Sequence, residues 1–226
     1  MKVSDIGEFG LIERIRDKNK VKDKNVIVGI GDDTAVIKIP NPKSQIPTRK
    51  NYILLTTDTL VEGVHFDLKY FTFYEVGWKL LAVNLSDIAA MGGNPRYALV
   101  TLGLREGVKV SDIDDFYRGI KALARKFKVE VVGGDIVSSP KNLFFTMDVM
   151  GLAGKVITRS RARVGDLIVS IGSFGASAQG LARLKKYGRK AFGIKPHLMP
   201  MPMLKEAREV SKYATSMIDN SDGLAR

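Results

Sequence analysis

Short apolar runs rich in β-branched residues recur along the chain and predict the strands of a sheet. Gly, Pro or Asp bounds each run, as is typical of strands that end in turns. The runs cover residues 26–30, 34–39, 52–57, 96–104, 129–132 and 143–153. Strands interspersed with helical patterns favour an α/β fold with an open sheet.

Two longer segments between these strands carry a helical pattern. Residues 75–91 are apolar on almost every side, which predicts a buried helix. Residues 111–128 repeat apolar side chains every three or four positions. Ser111 and Asp114 have the spacing of a capping box at the start of that segment. The second helix is therefore expected to be amphipathic.

A run of turn-forming residues at 138–142 predicts a boundary between two domains, residues 1–138 and residues 139–226. Beyond this run, the pattern predicts a strand at 166–171, helices near 176–187 and 203–213, and a last short strand near Met217. A length of 226 residues suits two such domains, each with its own core.

The amino-acid composition limits the class of protein and the kinds of metal site and catalysis that the chain can have. With 45% hydrophobic and 27% charged residues, the chain has the composition of a soluble globular protein. It contains neither an apolar run long enough to cross a membrane nor an N-terminal leader pattern, so a cytoplasmic location and no membrane partner are expected. The absence of Cys and the presence of only two His exclude thiolate catalysis and sulfur-ligated or histidine-rich metal sites. Any metal must therefore be bound by oxygen.

The net charge of +12 admits nucleic acid as a partner through attraction to phosphate. The basic residues cluster between residues 14 and 24 and between residues 183 and 195. Acidic residues interrupt the first cluster, and no stacking aromatic side chains interleave with it. A solvated basic face, or a surface that attracts polyphosphate substrates, is favoured over nucleic-acid binding.

Four predicted strands run directly into acidic residues, at Asp33, Asp58, Asp135 and Asp219. A single Asp after a strand is usually a turn or helix-cap residue. Four such ends in one fold point instead to carboxylates that converge at one edge of a sheet. Converging carboxylates repel one another unless cations neutralise them, and magnesium prefers oxygen ligands of this kind.

Asp87 gives an independent indication, because it lies in the otherwise apolar helix predicted at 75–91. A buried carboxylate is costly unless it is protonated, hydrogen-bonded as a structural cap, or bound to a cation. The segment alone leaves these alternatives open. Asn84 lies one turn earlier on the same side of the helix, so the two side chains can form a polar strip.

Glycine-rich and basic segments supply candidate phosphate contacts. Gly133 and Gly134 precede Asp135, and residues 172–180 lead from a predicted strand into a helix. Neither segment has the spacing of a Walker loop or of a dinucleotide fingerprint. The arginines between Arg159 and Arg163 fit either a phosphate clamp or an ordinary surface loop. His65 fits either a substrate contact or a structural role.

Taken in order, these motifs resemble thiamine-monophosphate kinases, a family of the aminoimidazole ribonucleotide synthetase superfamily. The resemblance spans essentially the whole chain. It rests on residues 7–12, 31–35, 56–58, 62–66, 77–79, 84–92, 133–135 and 221–224. The first of these segments, with its Gly-Glu-Phe-Gly, and the Glu-Gly-Val-His-Phe at 62–66 indicate the kinase branch of the superfamily.

The resemblance implies an aminoimidazole ribonucleotide synthetase-like fold, a dimer formed through the first domain's sheet, and magnesium-dependent transfer of the ATP γ-phosphoryl group to thiamine monophosphate. It implies metal-site roles for Asp33, Thr57, Asp58, Asp87, Asp135, Asp219 and Asp222. It implies nucleotide contacts for Tyr117, Gly134, Asp135, Arg159 and Ser221, and a substrate contact for His65. No catalytic base is expected, because the acceptor phosphate has a second pKa near ~6 and is already ionised at neutral pH.

Members of this family continue beyond the segment at 221–224, so the second domain is expected to be incomplete in this chain. Two alternatives to the kinase interpretation stay open. One is another ATP-using enzyme of the same superfamily. The other is a catalytically inactive protein that binds a nucleotide or a nucleic acid.

Overall fold

The computed structural model describes residues 3–39, 52–221 and 223. Within them, six strands form one sheet in the order β1-β2-β3-β6-β4-β5. The strands are β1 (Val26–Val28), β2 (Ala35–Lys38), β3 (Tyr52–Val61), β4 (Asn94–Leu104), β5 (Glu130–Ser138) and β6 (Phe144–Ala153). The helices are α1 (Gly7–Lys18), α2 (Phe73–Ala90), α3 (Val110–Phe127), α4 (Ala176–Tyr187), α5 (Lys195–Leu198) and α6 (Leu204–Val210). The predicted α/β fold class is confirmed.

Strand β6 occupies the middle of the sheet. It pairs antiparallel with β3 along its whole length and with β4 on its other side. Strand β5 alone among the described strands runs parallel to its neighbour, β4. Residues 144–153 lie after the predicted domain boundary at 138–142, but the sheet joins them to the strands before it. The division into two domains stays a prediction, and the first sheet extends to Ala153.

Helices α2 and α3 cover one face of the sheet and cross each other in close contact. Glycines at the crossing make this contact possible, because a Cβ on Gly77 would lie 2.0 Å from the carbonyl oxygen of Phe116. A Cβ on Gly119 would similarly lie 1.9 Å from the carbonyl oxygen of Tyr74. Beneath the crossing, the fully buried rings of Phe116 and Phe145 stack with centroids 4.4 Å apart.

The two large helices begin where side chains cap them. Thr72 and Glu75 form a capping box at the start of α2, and the Thr72 backbone N–H donates to the Glu75 carboxylate at 2.8 Å. The predicted Ser111 and Asp114 box is wrong. Helix α3 starts one position earlier, and Asp112 accepts a hydrogen bond from the Lys109 backbone N–H at 3.0 Å.

We call the other side of the sheet the open face. It carries Leu55, Tyr97, Leu99 and Val132, whose exposed fractions lie between 41% and 59%. These side chains alternate along their strands with buried ones such as Leu54 and Ala98. The open face is therefore an apolar surface that no described element covers.

The last third of the chain contains less regular structure than predicted. Helix α4 spans the predicted residues 176–187, and α6 is a shortened form of the helix predicted at 203–213. The strands predicted at 166–171 and near Met217 are wrong, since the described residues form no strand there. Leu167 and Ile168 are 91% and 98% exposed, because no neighbouring described strand pairs with this segment. No helix among the described residues is long and apolar enough to cross a membrane.

Candidate metal and nucleotide site

The alternation of side chains along β3 brings Asp58 next to Asp87 of α2. Thr56 and Asp58 share the covered face with the buried residues Leu54 and Leu60. The Thr56 hydroxyl donates a hydrogen bond to Asp87 Oδ2 at 2.5 Å and so ties the strand to the helix. The Asp58 carboxylate lies near enough to raise the pKa of Asp87 by repulsion.

Asp32 and Asp33 lie before β2 and bind Arg159 from the opposite side of the site. The Asp33 side chain is only 3% exposed, and its Oδ1 forms an ion pair with the Arg159 guanidinium. Arg159 Nε lies 3.4 Å from Asp32 Oδ1, and the Arg159 backbone N–H donates to Asp32 Oδ2 at 3.3 Å. The Arg159 loop is thereby fixed against the turn that carries Asp33.

The segment around Ser216 completes the site. The Ser216 hydroxyl lies within hydrogen-bond distance of two carbonyl oxygens, that of Arg159 at 2.7 Å and that of Thr158 at 3.0 Å. Asp219 follows three residues later, and its charge raises the pKa of Asp33, Asp58 and Asp87. Carboxylates from four separate segments therefore lie within electrostatic reach of one another.

We refer to Asp33, Asp58, Asp87 and Asp219 as the acidic cluster. Burial is the main cause that raises the pKa of Asp87 to about 8, and repulsion from Asp58, Asp219 and Asp33 adds to it. Burial likewise raises the pKa of Asp58 to about 6, with a further contribution from Asp219. The pKa of Asp33 rises to about 6 through burial, although Arg159 opposes the shift. Burial and mutual repulsion therefore both disfavour the ionised state of these carboxyl groups.

The residues present suit a divalent cation. Among the described residues, Asp33 Oδ2 is a buried carboxylate oxygen without a hydrogen-bond partner, and a cation is the partner that such an oxygen lacks. The described residues contain no group of three or more acidic or histidine side chains close enough to form a complete metal cage. Magnesium does not need one, because it usually takes one or two carboxylates and completes its shell with water and substrate phosphates.

Two residues predicted for the metal site lie elsewhere in the described structure. Thr57 and Asp135 belong to the open face, because each alternates with a residue directed at the helices. Asp135 is also separated from Asp58 by three strand spacings, about 14 Å. The chain therefore does not bring Thr57 or Asp135 to the acidic cluster. Asp222 lies outside the described residues.

Of the predicted nucleotide contacts besides Asp135, two lie at or near the acidic cluster in the chain, and the other two lie elsewhere. Arg159 lies at the acidic cluster, and the exposed Ser221 follows Asp219 by two residues. Tyr117 lies in α3 beside the crossing with Gly77, ten residues and about 15 Å along α2 from Asp87. Gly134 has a structural reason to be glycine, since a Cβ there would lie 1.8 Å from the carbonyl oxygen of Val100.

Sequence reasoning missed Thr56 as part of the site, and it missed the pairing of Asp32 with Arg159. Thr56 could have been found from the period of two along a strand, which places it, and not Thr57, on the same side as Asp58. No local pattern identifies the partner of Asp32, because Arg159 is 127 positions away in the chain.

The predicted substrate residue His65 occupies a tight turn after β3. Its ring nitrogen Nδ1 accepts a hydrogen bond from the Val61 backbone N–H at 3.0 Å. Burial lowers the pKa of His65, and the positive charge of Lys79 lowers it further. Both effects favour the neutral imidazole, in which Nδ1 can accept this hydrogen bond.

The chain is similar to known proteins over most of its length. Residues 31–153 match the family model described as AIR synthase related protein, N-terminal domain. The chain is 38% identical over 229 residues to thiamine-monophosphate kinase of Aquifex aeolicus, covering 99% of this chain and 69% of the relative. It is 39% identical over 225 residues to the enzyme of that name from Buchnera aphidicola (Acyrthosiphon pisum, strain APS), covering 96% of this chain and 66% of the relative.

Solved structures are similar to the chain as well. A structure described as AaThiL complexed with AMPPCP and TMP is 36% identical, with a TM-score of 0.86, and the match covers 99% of this chain and 69% of that one. The hydrogenase maturation protein HypE of E. coli is 17% identical, with a TM-score of 0.60 and coverage of 92% and 62%, and shares the fold alone. The chain spans about two thirds of the length of the curated relatives it matches.

Proposed function

We propose that this chain, which belongs to the thiamine-monophosphate kinase family, is a kinase that acts on thiamine monophosphate. It transfers the γ-phosphoryl group of ATP to thiamine monophosphate and releases thiamine diphosphate and ADP. The observation that carries the proposal is the acidic cluster, in which carboxylates from four segments lie beside Arg159. Such a cluster suits the binding of a cation and of the polyphosphate that the cation accompanies.

The charges of the reaction explain why the site is built this way. ATP and thiamine monophosphate are both anions, and they must approach closely for a direct in-line transfer. A bound magnesium ion would supply charge neutralisation between the carboxylates and the phosphates. Asp33, Asp58, Asp87 and Asp219 are the residues that would hold it. The acceptor oxygen is already ionised at neutral pH, so positioning and charge neutralisation are the tasks of the protein.

In this scheme Arg159 exchanges its carboxylate partners for a nucleotide phosphate. In the described structure, its guanidinium neutralises Asp33 and Asp32. A divalent cation at Asp33 would take over that neutralisation and leave the guanidinium available to a nucleotide phosphate, which arginine binds well through two parallel hydrogen bonds. Arg159 thereby couples cation binding to nucleotide binding.

The open face supports the proposed homodimer. Its half-exposed Leu55, Tyr97, Leu99 and Val132 form a contiguous apolar surface of the kind that associates with another protein surface. A second copy would cover this surface and approach Thr57 and Asp135, which lie on the same side of the sheet. The metal roles of Thr57, Asp135 and Asp222, the nucleotide contacts other than Arg159, and a cytoplasmic location stay predictions.

A coupled assay for ADP release tests the proposal. With ATP and magnesium, addition of thiamine monophosphate is expected to raise ADP release, and the product should be thiamine diphosphate. Other phosphorylated acceptors and water alone serve as controls. ADP release that is indifferent to thiamine monophosphate would favour another enzyme of the superfamily. Absence of any release, together with tight binding to DNA that weakens steeply with salt, would favour the inactive nucleic-acid-binding alternative.

A further inference from the structure

Lys79 of α2 is a half-buried cation with an unusual set of partners. Its ammonium donates a hydrogen bond to the backbone carbonyl oxygen of His65 at 2.8 Å and lies 5.2 Å from the centroid of the Phe71 ring. No ion pair within the described part of the chain involves Lys79. An ammonium taken from water and bonded to neutral groups is costly, and burial lowers the pKa of Lys79 to about 8. An apolar side chain of the same length would avoid that cost but would leave the His65 carbonyl without this donor.

The carbonyl that Lys79 binds belongs to a turn at residues 61–66, which we call the His65 turn. Backbone bonds close it, from the Gly63 N–H to the Phe66 oxygen at 2.7 Å and from the His65 N–H to the Val61 oxygen at 2.9 Å. Glu62 anchors its first half, through an ion pair with Arg105 at 3.0 Å and a hydrogen bond from the Leu143 N–H at 3.1 Å. Lys79 holds the second half, at His65 itself.

The turn also determines which ring nitrogen of His65 carries the proton. The Val61 N–H donates to Nδ1, so Nδ1 must be the unprotonated nitrogen of the neutral ring. The proton then lies on Nε2, and Nε2 is the nitrogen that can donate to a ligand oxygen. This bond joins residues at the two ends of one tight turn, and it holds only while the turn keeps its shape.

We propose that Lys79 is a positioning residue, whose bond to the His65 carbonyl holds the turn and thereby keeps the His65 ring as a single tautomer with Nε2–H available to the substrate. The proposal rests on the proposed function for the identity of that substrate, and on the predicted role of His65 as its contact.

Nuclear magnetic resonance of the imidazole nitrogens tests the proposal without any assay of activity. The chain has only two histidines, so a His197→Asn variant assigns both rings. In the unaltered chain, His65 is expected to show one protonated and one unprotonated nitrogen. In Lys79→Met, which keeps the length of the side chain and removes the donor, the two nitrogens are expected to move towards averaged shifts. Lys79→Arg restores a cationic donor and should restore the single tautomer.

Lys126→Met is the matched control, because Lys126 also lies over an aromatic ring, 5.0 Å from the centroid of Trp78, but on the exposed side of α3. It should leave the His65 spectrum unchanged. In the kinase assay, Lys79→Met is expected to raise the KM for thiamine monophosphate about tenfold, equivalent to about 1.4 kcal/mol of lost binding. The KM for ATP should stay the same.

The two kinds of measurement separate the possible failures. Unchanged nitrogen shifts in a folded Lys79→Met chain would overturn the proposal, whatever the activity. Altered shifts with an unaltered KM for thiamine monophosphate would overturn it as well, because the ring would then not serve that substrate. An unaltered chain with no kinase activity would refute the proposed function, and the spectra would then decide alone whether Lys79 positions His65.

Discussion

The two faces of the central sheet carry side chains of opposite character on the same strands. On the covered face, Asp58 and Thr56 interrupt an apolar core and meet Asp87 of α2. On the open face, Leu55 and Leu99 are apolar but half exposed. Carboxylates lie where water is scarce, and apolar side chains lie where water is plentiful. Each arrangement is costly in free energy without a partner. The covered face calls for a cation, and the open face calls for an apolar surface.

Replacing Asp87 with Asn should have the largest effect. The substitution keeps the shape of the side chain but removes a proposed metal ligand, so magnesium-dependent nucleotide affinity should fall about 100-fold. Metal-free stability should stay the same or rise, because a buried, repelled carboxyl group is lost. Calorimetric titration with a non-hydrolysable ATP analogue and a thermal melt in chelator check both parts.

Asp148→Asn is the matched control for that experiment, because Asp148 is exposed on the open face opposite Thr57. It should leave metal-dependent nucleotide affinity within about twofold, as expected for a side chain outside the site. A metal-free melting temperature that falls by many degrees in Asp87→Asn would instead make Asp87 a structural cap.

Adding a charge to the open face should break the proposed dimer. Leu99→Glu places a carboxylate in the middle of the apolar surface, and burying it against a second copy would be costly. Light scattering after size-exclusion chromatography is expected to show a dimer for the unaltered chain and a monomer for the variant. Val110→Glu, at a position that is 79% exposed at the start of α3, should not change the mass. A monomeric unaltered chain would refute this use of the open face.

Neighbouring threonines of β3 sharpen the comparison, since they lie on opposite faces. Thr56→Val removes the hydrogen bond that orients Asp87 and should weaken metal-dependent nucleotide affinity about tenfold. Thr57→Val should weaken it less, because Thr57 lies on the open face. Equal losses of affinity in the two variants would place Thr57 at the metal, as the chain's resemblance to the kinase family implies. They would contradict the conclusion that Thr57 lies on the open face, away from the acidic cluster.

The last expected effect is a dependence of metal-free stability on pH. In the folded chain, the pKa of Asp87 is raised from 3.8 to about 8, and the pKa values of Asp33 and Asp58 are raised to about 6. The folded chain therefore binds more protons than the unfolded chain over this range, and the free energy of unfolding in chelator should fall as the pH rises from about 4 to about 8.

Thermal melts between pH 5 and pH 8 in chelator measure this dependence. The Asp87→Asn variant should show a flatter curve above about pH 6, because the group with the highest of these pKa values is gone. Saturating magnesium should also flatten the curve of the unaltered chain, since a cation competes with protons for the carboxylates. Parallel curves for the variant and the unaltered chain would show that Asp87 does not titrate in this range.

The first sheet was largely predictable from local pattern. Alternation and turn residues located the strands, and the apolar segment with a single Asp located α2 and its unusual carboxylate. The strand predicted at 166–171 failed for a physical reason, because an apolar run forms a strand only where a neighbour supplies hydrogen bonds, and Ile168 has none among the described strands.

The site was predictable only in part. The sequence pointed to Asp33, Asp58 and Asp219 as residues that follow strands, but Asp58 lies inside β3 and the described residues form no strand before Asp219. Thr57 came from the resemblance to the kinase family, and its metal role stays a prediction. The period of two along β3 places Thr56 on the same face as Asp58. Long-range pairs such as Arg159 with Asp32 leave no local trace in a single sequence. The same is true of Lys79, whose partner is a backbone carbonyl and not a side chain.

Nucleotide binding in the presence and absence of a divalent cation tests the central claim most directly. The claim is that the acidic cluster binds a cation and that the cation carries the nucleotide. Titration of the unaltered chain with a non-hydrolysable ATP analogue should give clear binding in magnesium and none in excess chelator. An affinity that is the same under both conditions would contradict the account.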